Sequence, residues 1–243
     1  MNGANWTFRP RFVTSLITFI TLLAMVSLGV WQLDRADEKQ ALFEQFQERG
    51  KKSPLDLNSY VSRDPEEILW RRAGVMGIYH ERLQILLDNR MYQGRAGYYV
   101  YTPLKIKGFG EWILVNRGWI YAGDYRSRLP VIDTPAGTVM LTGSLKRPPF
   151  NGILLTDHYI EKLNGGVLRT QAINIDKLGK VTGMKFLPYI LRLDPGSATG
   201  FVRDWPPAGS GKERNLGYAF QWFMMAAVVL FIYLYLTINR TKS

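Results

Sequence analysis

The 243-residue sequence has no cysteine and only two histidines, His80 and His158. The first absence excludes a disulfide framework, a zinc ribbon, an iron–sulfur protein and all thiol chemistry. The second leaves a histidine-based zinc site short of ligands, and no H-E-x-x-H occurs. A block of like charge is also missing. The net charge is +11, yet no five or six basic residues run together, so a nucleic-acid partner is not expected. Four of the basic residues, Arg9, Arg11, Arg240 and Lys242, lie near the chain ends, and a mildly basic face toward anionic lipid headgroups accounts for the remaining excess. There is no G-x-S-x-G nucleophile elbow. Gly209-Ser210-Gly211-Lys212 looks like the end of a P-loop, but Pro206 stands where the first Gly belongs and Glu213 replaces the Ser or Thr that binds magnesium. No catalytic residue and no metal site are expected, and the sequence does not read as an enzyme.

What is present is two long uncharged runs, residues 12–33 and 215–239. Each exceeds the roughly 20 apolar residues that cross a bilayer. Neither carries the polar stripe of a soluble amphipathic helix. The alternative for the first run is a cleaved signal peptide, with Arg9 and Arg11 ahead of it and small residues Ser27 and Gly29 near its end; its length and the Trp31-Gln32 pair that follows speak against cleavage. The expected layout is a cytoplasmic tail (1–11), a span (12–33), a periplasmic domain (34–214), a second span (215–239) and a cytoplasmic tail (240–243). The basic residues packed into short tails set this orientation.

Residues 34–49 lack Gly and Pro and continue the first helix or follow it closely, and 51–65 read as a loop. Short β-type runs then recur at 70–79, 83–88, 98–104, 112–120, 138–146, 168–175 and 189–193, separated by turn residues. Helical pieces are expected near 123–129 and 160–164, and a Pro- and Gly-rich return linker at 194–211. The fold class is therefore a membrane α+β protein, two transmembrane helices flanking one antiparallel β-rich barrel or sandwich.

Chemically informative residues gather at the ends of the spans. Trp31 and Gln32 close the first; Tyr218, Gln221, Trp222 and Met225 share one face of the second at i, i+3, i+4 and i+7. Trp and Tyr suit the interface by themselves. An amide in the apolar zone needs a partner. Gln32 and Gln221 either meet across a helix–helix seam or form a recognition face for another membrane protein or a lipophilic cofactor. Arg35 and Lys39 lie one turn apart beyond the first span, on a solvated face or against headgroups and carboxylates. In Asn116-Arg117-Gly118-Trp119, Trp119 packs inward with Arg117 snorkelling, or Arg117 meets a partner or a propionate.

Four segments, LGVWQLDRADEK at 28–39, YYVYTPL at 98–104, VNRGWI at 115–120 and LGYAFQWFMMA at 216–226, together resemble the Surfeit locus protein 1 family. Trp31, Gln32, Arg35, Lys39, Asn116, Arg117, Gly118, Trp119, Gly217, Tyr218 and Trp222 match its recurring residues. The resemblance implies a bacterial inner-membrane assembly factor for cytochrome c oxidase, assisting haem a delivery or insertion into subunit I. Its alternative is a scaffold that binds no haem and stabilises an assembly intermediate. The implied partners are the bilayer, haem-copper oxidase subunit I and the haem a synthesis machinery. The implied cofactor contacts are Trp31, Gln32, Arg35, Lys39, Arg117, Tyr218, Gln221 and Trp222. Many family members carry His just before the Leu-Gly-Tyr segment, where this chain has Asn215, a poor axial ligand for haem iron.

Overall fold

The computed structural model describes residues 5–8, 10–125, 128–149, 159–205, 209 and 211–241. In chain order its elements are β1 (Asn5–Phe8), α1 (Phe12–Lys51), β2 (Leu55–Asp56), α2 (Pro65–Ile68), β3 (Arg72–Tyr79), β4 (Gln84–Tyr92), β5 (Arg95–Ile106), β6 (Trp112–Tyr121), β7 (Thr138–Lys146), β8 (Ile160–Lys162), β9 (Val167–Thr170), α3 (Ile175–Thr182), β10 (Phe186–Leu193), α4 (Lys212–Thr237) and β11 (Ile238–Thr241). The chain divides into two units, Met1–Gln45 with Pro206–Ser243, and Phe46–Trp205.

In the first unit α1 and α4 are membrane spans. Their apolar windows have mean hydropathies of 2.2 and 1.9, and only 6% and 11% of those windows are buried by protein, unlike the core helix of a soluble domain. As expected, α1 runs on through the charged stretch, since no Gly or Pro interrupts it before Gly50. The second helix starts at Lys212 and ends at Thr237, so the last residues of the expected span leave the helix. They form β11, which pairs antiparallel with β1 from Asn5↔Thr241 to Phe8↔Ile238.

In the second unit a sheet runs in the order β2-β3-β7-β10-β6-β5-β4-β9-β8, and β3 also pairs with β5. The extra pairing closes β3, β7, β10, β6 and β5 into a five-stranded barrel. Its interior holds Val75, Tyr79, Leu104, Ile113, Val115, Leu141, Leu145, Tyr189 and Leu191. Strand β5 is long enough to leave the barrel and pair with β4, whose outer neighbours β9 and β8 fold over a second apolar cluster that α3 covers with Leu178. The barrel reading holds, but the sheet is not wholly antiparallel: β2–β3, β4–β9 and β6–β10 are parallel.

Four local expectations change. Residues 160–162 are strand β8 and not helix, because Ile160–Lys162 finds a partner in β9, and a single 3-10 turn follows at Asn164–Gly166. The strand expected over 168–175 ends at Thr170, and Asn174 instead caps α3 by accepting from the Lys177 N–H at 2.9 Å. The described part of 123–129 contains no helix, and residues 126 and 127 lie outside the described set. The return linker is partly sheet: Trp119 N–H donates to Val202 O at 2.7 Å and Val202 N–H returns the bond at 3.0 Å.

Candidate functional site

The two membrane helices meet along a heptad stripe. On α1 the buried Gly29 and Ala36 stand seven apart; on α4 the buried Ala219 and Ala226 do the same. Small residues at this spacing let two helices approach closely in lipid. A Cβ at Gly29 would lie 2.7 Å from the Phe223 ring, so any larger residue there forces that ring to move. Gln32 and Lys39 occupy the alternate positions of the same α1 stripe, and Asn215 and Trp222 those of α4. A chain of hydrogen bonds results. Lys39 Nζ donates to Asn215 Oδ1 at 2.5 Å and to Gly211 O at 3.2 Å, and Asn215 Nδ2 donates to Gln32 Oε1 at 2.7 Å. Lys212 Nζ donates to Gln40 Oε1 at 3.0 Å beside them. At the other end of the spans, the Ser15 and Tyr233 hydroxyls meet at 2.6 Å.

The glycines of the rejected P-loop find their use here. Gly209, at φ +71°, leaves no room for a Cβ, which would fall 2.2 Å from Lys39 O. The turn into α4 rests on the α1 backbone, and Gly211 is the residue that precedes the helix.

The seam takes in Gln32, Lys39 and Trp222 of the expected site residues and leaves the others outside it. Gln32 pairs with Asn215 and not with Gln221. Tyr218, Gln221 and Met225 are exposed on α4, turned off the stripe that meets α1. Among the described residues nothing hydrogen-bonds the Gln221 side chain. Trp31 is half exposed, and Arg35 lies over its ring at 5.9 Å while bonding Glu38 at 2.6 Å. That makes Arg35 a local surface contact.

Arg117 belongs to the other unit and is 2% exposed. The β5–β6 register jumps from Val100↔Gly118 to Tyr101↔Asn116, which leaves Arg117 as the extra residue of a bulge. Gly118, at φ +117°, makes the bulge possible, since a Cβ there would strike Val202 O. The guanidinium is held between the Tyr79 and Phe201 rings at 5.2 and 5.0 Å, and Nη2 donates to Asp133 O at 2.6 Å. Burial lowers its pKa, and burial pushes the Tyr79 hydroxyl up to about 12. Arg117 therefore braces the loop before β7 against the sheet from inside and does not snorkel. Trp119 packs as expected, its indole N–H donating to Arg90 O at 2.7 Å.

The SURF1 family model matches residues 19–227, a stretch that takes in the seam-forming parts of both membrane helices and the whole barrel. The chain belongs to the SURF1 family. A SURF1-like protein of Dictyostelium discoideum is 32% identical over 49% of this chain and 44% of its own length. A SURF1-like protein of Rickettsia felis is 32% identical over 44% of this chain and 46% of its own. The Cytochrome oxidase assembly protein SHY1 of Saccharomyces cerevisiae is 26% identical over 59% of this chain and 38% of its own. The matched stretches thus span less than half of each of these relatives.

Among the described residues, the donor set does not fit nitrogen ligation of haem iron. At the position where the resemblance implies His, both ends of the Asn215 amide are spent on Lys39 and Gln32. His80 lies in the barrel unit, where its Nδ1 accepts the Arg82 and Leu83 backbone N–H groups at 3.3 and 3.0 Å. In the neutral ring that tautomer carries its proton on Nε2, so neither nitrogen offers a lone pair. His158 lies outside the described residues.

Proposed function

We propose that this SURF1-family protein is a non-enzymatic membrane scaffold for assembly of a cytochrome oxidase, anchored in a bacterial inner membrane with both tails cytoplasmic and the barrel periplasmic. Family membership and the printed name of the yeast relative support the oxidase role. The bacterial relative and the basic tails support the location and orientation. One observation carries the scaffold reading. Tyr218, Gln221 and Met225 present an unused face on a membrane helix, and an amide exposed in an apolar segment is stabilised by a polar group on another helix. The partner is a transmembrane helix of oxidase subunit I. Haem a delivery is the finer expectation of the resemblance. The occupied amides at Gln32 and Asn215 favour the scaffold over it.

The test is recovery of subunit I with the tagged full-length protein from detergent-solubilised membranes. Gln221→Leu is expected to reduce recovery at least fivefold with the tagged protein's level unchanged; undiminished recovery overturns the assignment of this face. Protein purified from cells that make haem a is expected to show well under one haem per chain in its absorbance spectrum. Stoichiometric haem would restore the delivery reading.

A further inference from the structure

The outer face of the barrel unit carries two arginines that no side chain hydrogen-bonds among the described residues. Register sets Arg192 of β10, Asn116 of β6 and Tyr101 of β5 side by side in adjacent strands. Asn116 Nδ2 donates to the Tyr101 hydroxyl at 3.0 Å, which leaves the hydroxyl proton without an acceptor among the described residues. Tyr99, two residues from Tyr101 and on the same face, packs against Trp205 with ring centroids 5.6 Å apart. Trp205 is pinned by its indole N–H, which donates to Leu193 O at 2.8 Å. Two guanidiniums flank this aromatic pair: Arg90 sits 5.9 Å from the Tyr99 ring and Arg192 5.3 Å from the Trp205 ring.

Neither arginine has a side-chain hydrogen bond or an ion pair among the described residues. Arg90 Nε and Nη2 and Arg192 Nε are buried without an acceptor. On Arg90 the orphaned pair is the side-on edge of the guanidinium, the edge whose two parallel N–H groups match the two oxygens of a carboxylate. Asp194 reaches Arg192 electrostatically, but its carboxylate is bonded to Arg72. A third cation, Lys146 of β7, is 7% exposed and rests 3.6 Å from the Trp70 ring and 4.4 Å from the Phe46 ring. Buried polar groups in native proteins are almost always satisfied, so orphaned charged donors on one face ask for an occupant.

We propose that Arg90 and Arg192, beside the Trp205–Tyr99 pair, form a docking site for a carboxylate-bearing segment of a partner protein. A phosphate would suit the guanidiniums equally, but the Trp205–Tyr99 shelf beside them supplies the Trp, Tyr and Arg set that dominates protein–protein hot spots. Occupation breaks no hydrogen bond: both arginines are half-buried, and turning their free edges outward gives up no existing partner. Lys146 stands near Arg192, and burial, with Arg192 next, holds its pKa down to about 7, so the two arginines carry the charge of the site. The site belongs to the barrel unit and shares no residue with the membrane-helix face assigned above, so either stands if the other fails.

The test uses the full chain in an uncharged detergent, with a fluorescein-labelled hexaglutamate peptide followed by anisotropy. Arg90→Gln and Arg192→Gln are each expected to weaken binding about tenfold, and Lys107→Gln, which removes an exposed charge elsewhere, less than twofold. Equal loss in all three would reduce the binding to net charge and overturn the site. So would unchanged peptide binding with a lowered melting temperature, because the arginines would then only brace the fold. Binding of phosphatidylglycerol nanodiscs that Arg192→Gln abolishes, with peptide binding intact, would reassign the face to lipid.

Discussion

The membrane-helix seam and the outer face of the barrel treat polar groups in opposite ways. In the seam, Lys39, Asn215 and Gln32 use each other up. On the barrel face, Arg90 and Arg192 stand among aromatic rings with donors to spare, and Lys146 rests against two rings nearby. The contrast separates two reasons for a polar residue in an apolar setting. A satisfied chain fixes which helix faces meet, while orphaned donors stabilise nothing in the isolated chain and are explained by something that arrives from outside.

Breaking the satisfied side has the larger effect. Asn215→Leu removes the nearer of two acceptors for Lys39 and the donor to Gln32, and leaves the ammonium with only Gly211 O in an apolar seam. A loss of about 2–3 kcal/mol is expected, read by thermal unfolding in detergent. A melting temperature unchanged within a degree would mean that the chain of bonds contributes nothing to helix pairing.

On the unsatisfied side the sign reverses. Lys146 ordinarily titrates near 10.5 and is held down to about 7, first by burial and next by Arg192. Phe46 of α1 and Trp70 face it without charge. Below pH 7 both folded and unfolded states carry the proton, and the full cost of burying it is present. Between pH 7 and 10.5 the unfolded state keeps the proton that the folded state has released, so stability rises with pH. Lys146→Met is expected to stabilise the protein by about 2 kcal/mol at pH 7 and to flatten that rise. Denaturant melts at pH 7 and pH 10 measure both, and a wild type equally stable at the two pH values would disprove the buried-charge account.

The smallest effect belongs to Arg35. Its pairing with Glu38 and its place over Trp31 are exposed, so Arg35→Ala is expected to move stability by no more than about 0.5 kcal/mol in the same melts. A larger loss would show that the first helix needs its surface contacts as much as its seam.

The strand expected at 138–146 has those bounds, and both expected spans fall on helices, the second ending two residues early at Thr237. Their signals are local, an uncharged run or an alternation bounded by Gly and Pro. The seam was legible too. Gln32 and Lys39 share the seven-residue spacing of Gly29 and Ala36, but reading Lys39 with Arg35 at one turn hid it. Helix α3 had its signs as well, Asn174 ahead of it and Gly183, at φ +73°, after it. They lay within a stretch whose Ile and Leu content suggested strand. By contrast, nothing local joins Arg90 to Arg192. Their meeting depends on β10 lying parallel to β6 and on Trp205 folding back over Tyr99, pairings made across the length of the domain. Residues 160–162 were misread for a different reason: they are the first arm of a short hairpin with β9, closed by the 3-10 turn at Asn164–Gly166.

The order of strands in the barrel also dictates a schedule. Strand β10 fills the gap between β6 and β7, both of which leave the ribosome long before it. Until residues 186–193 emerge, two facing edges stay bare and the interior stays wet, so the nascent domain spends most of its synthesis as an open, sticky sheet. The strand that completes it is followed within twenty residues by the second membrane helix, so the cylinder shuts just as the chain turns back toward lipid.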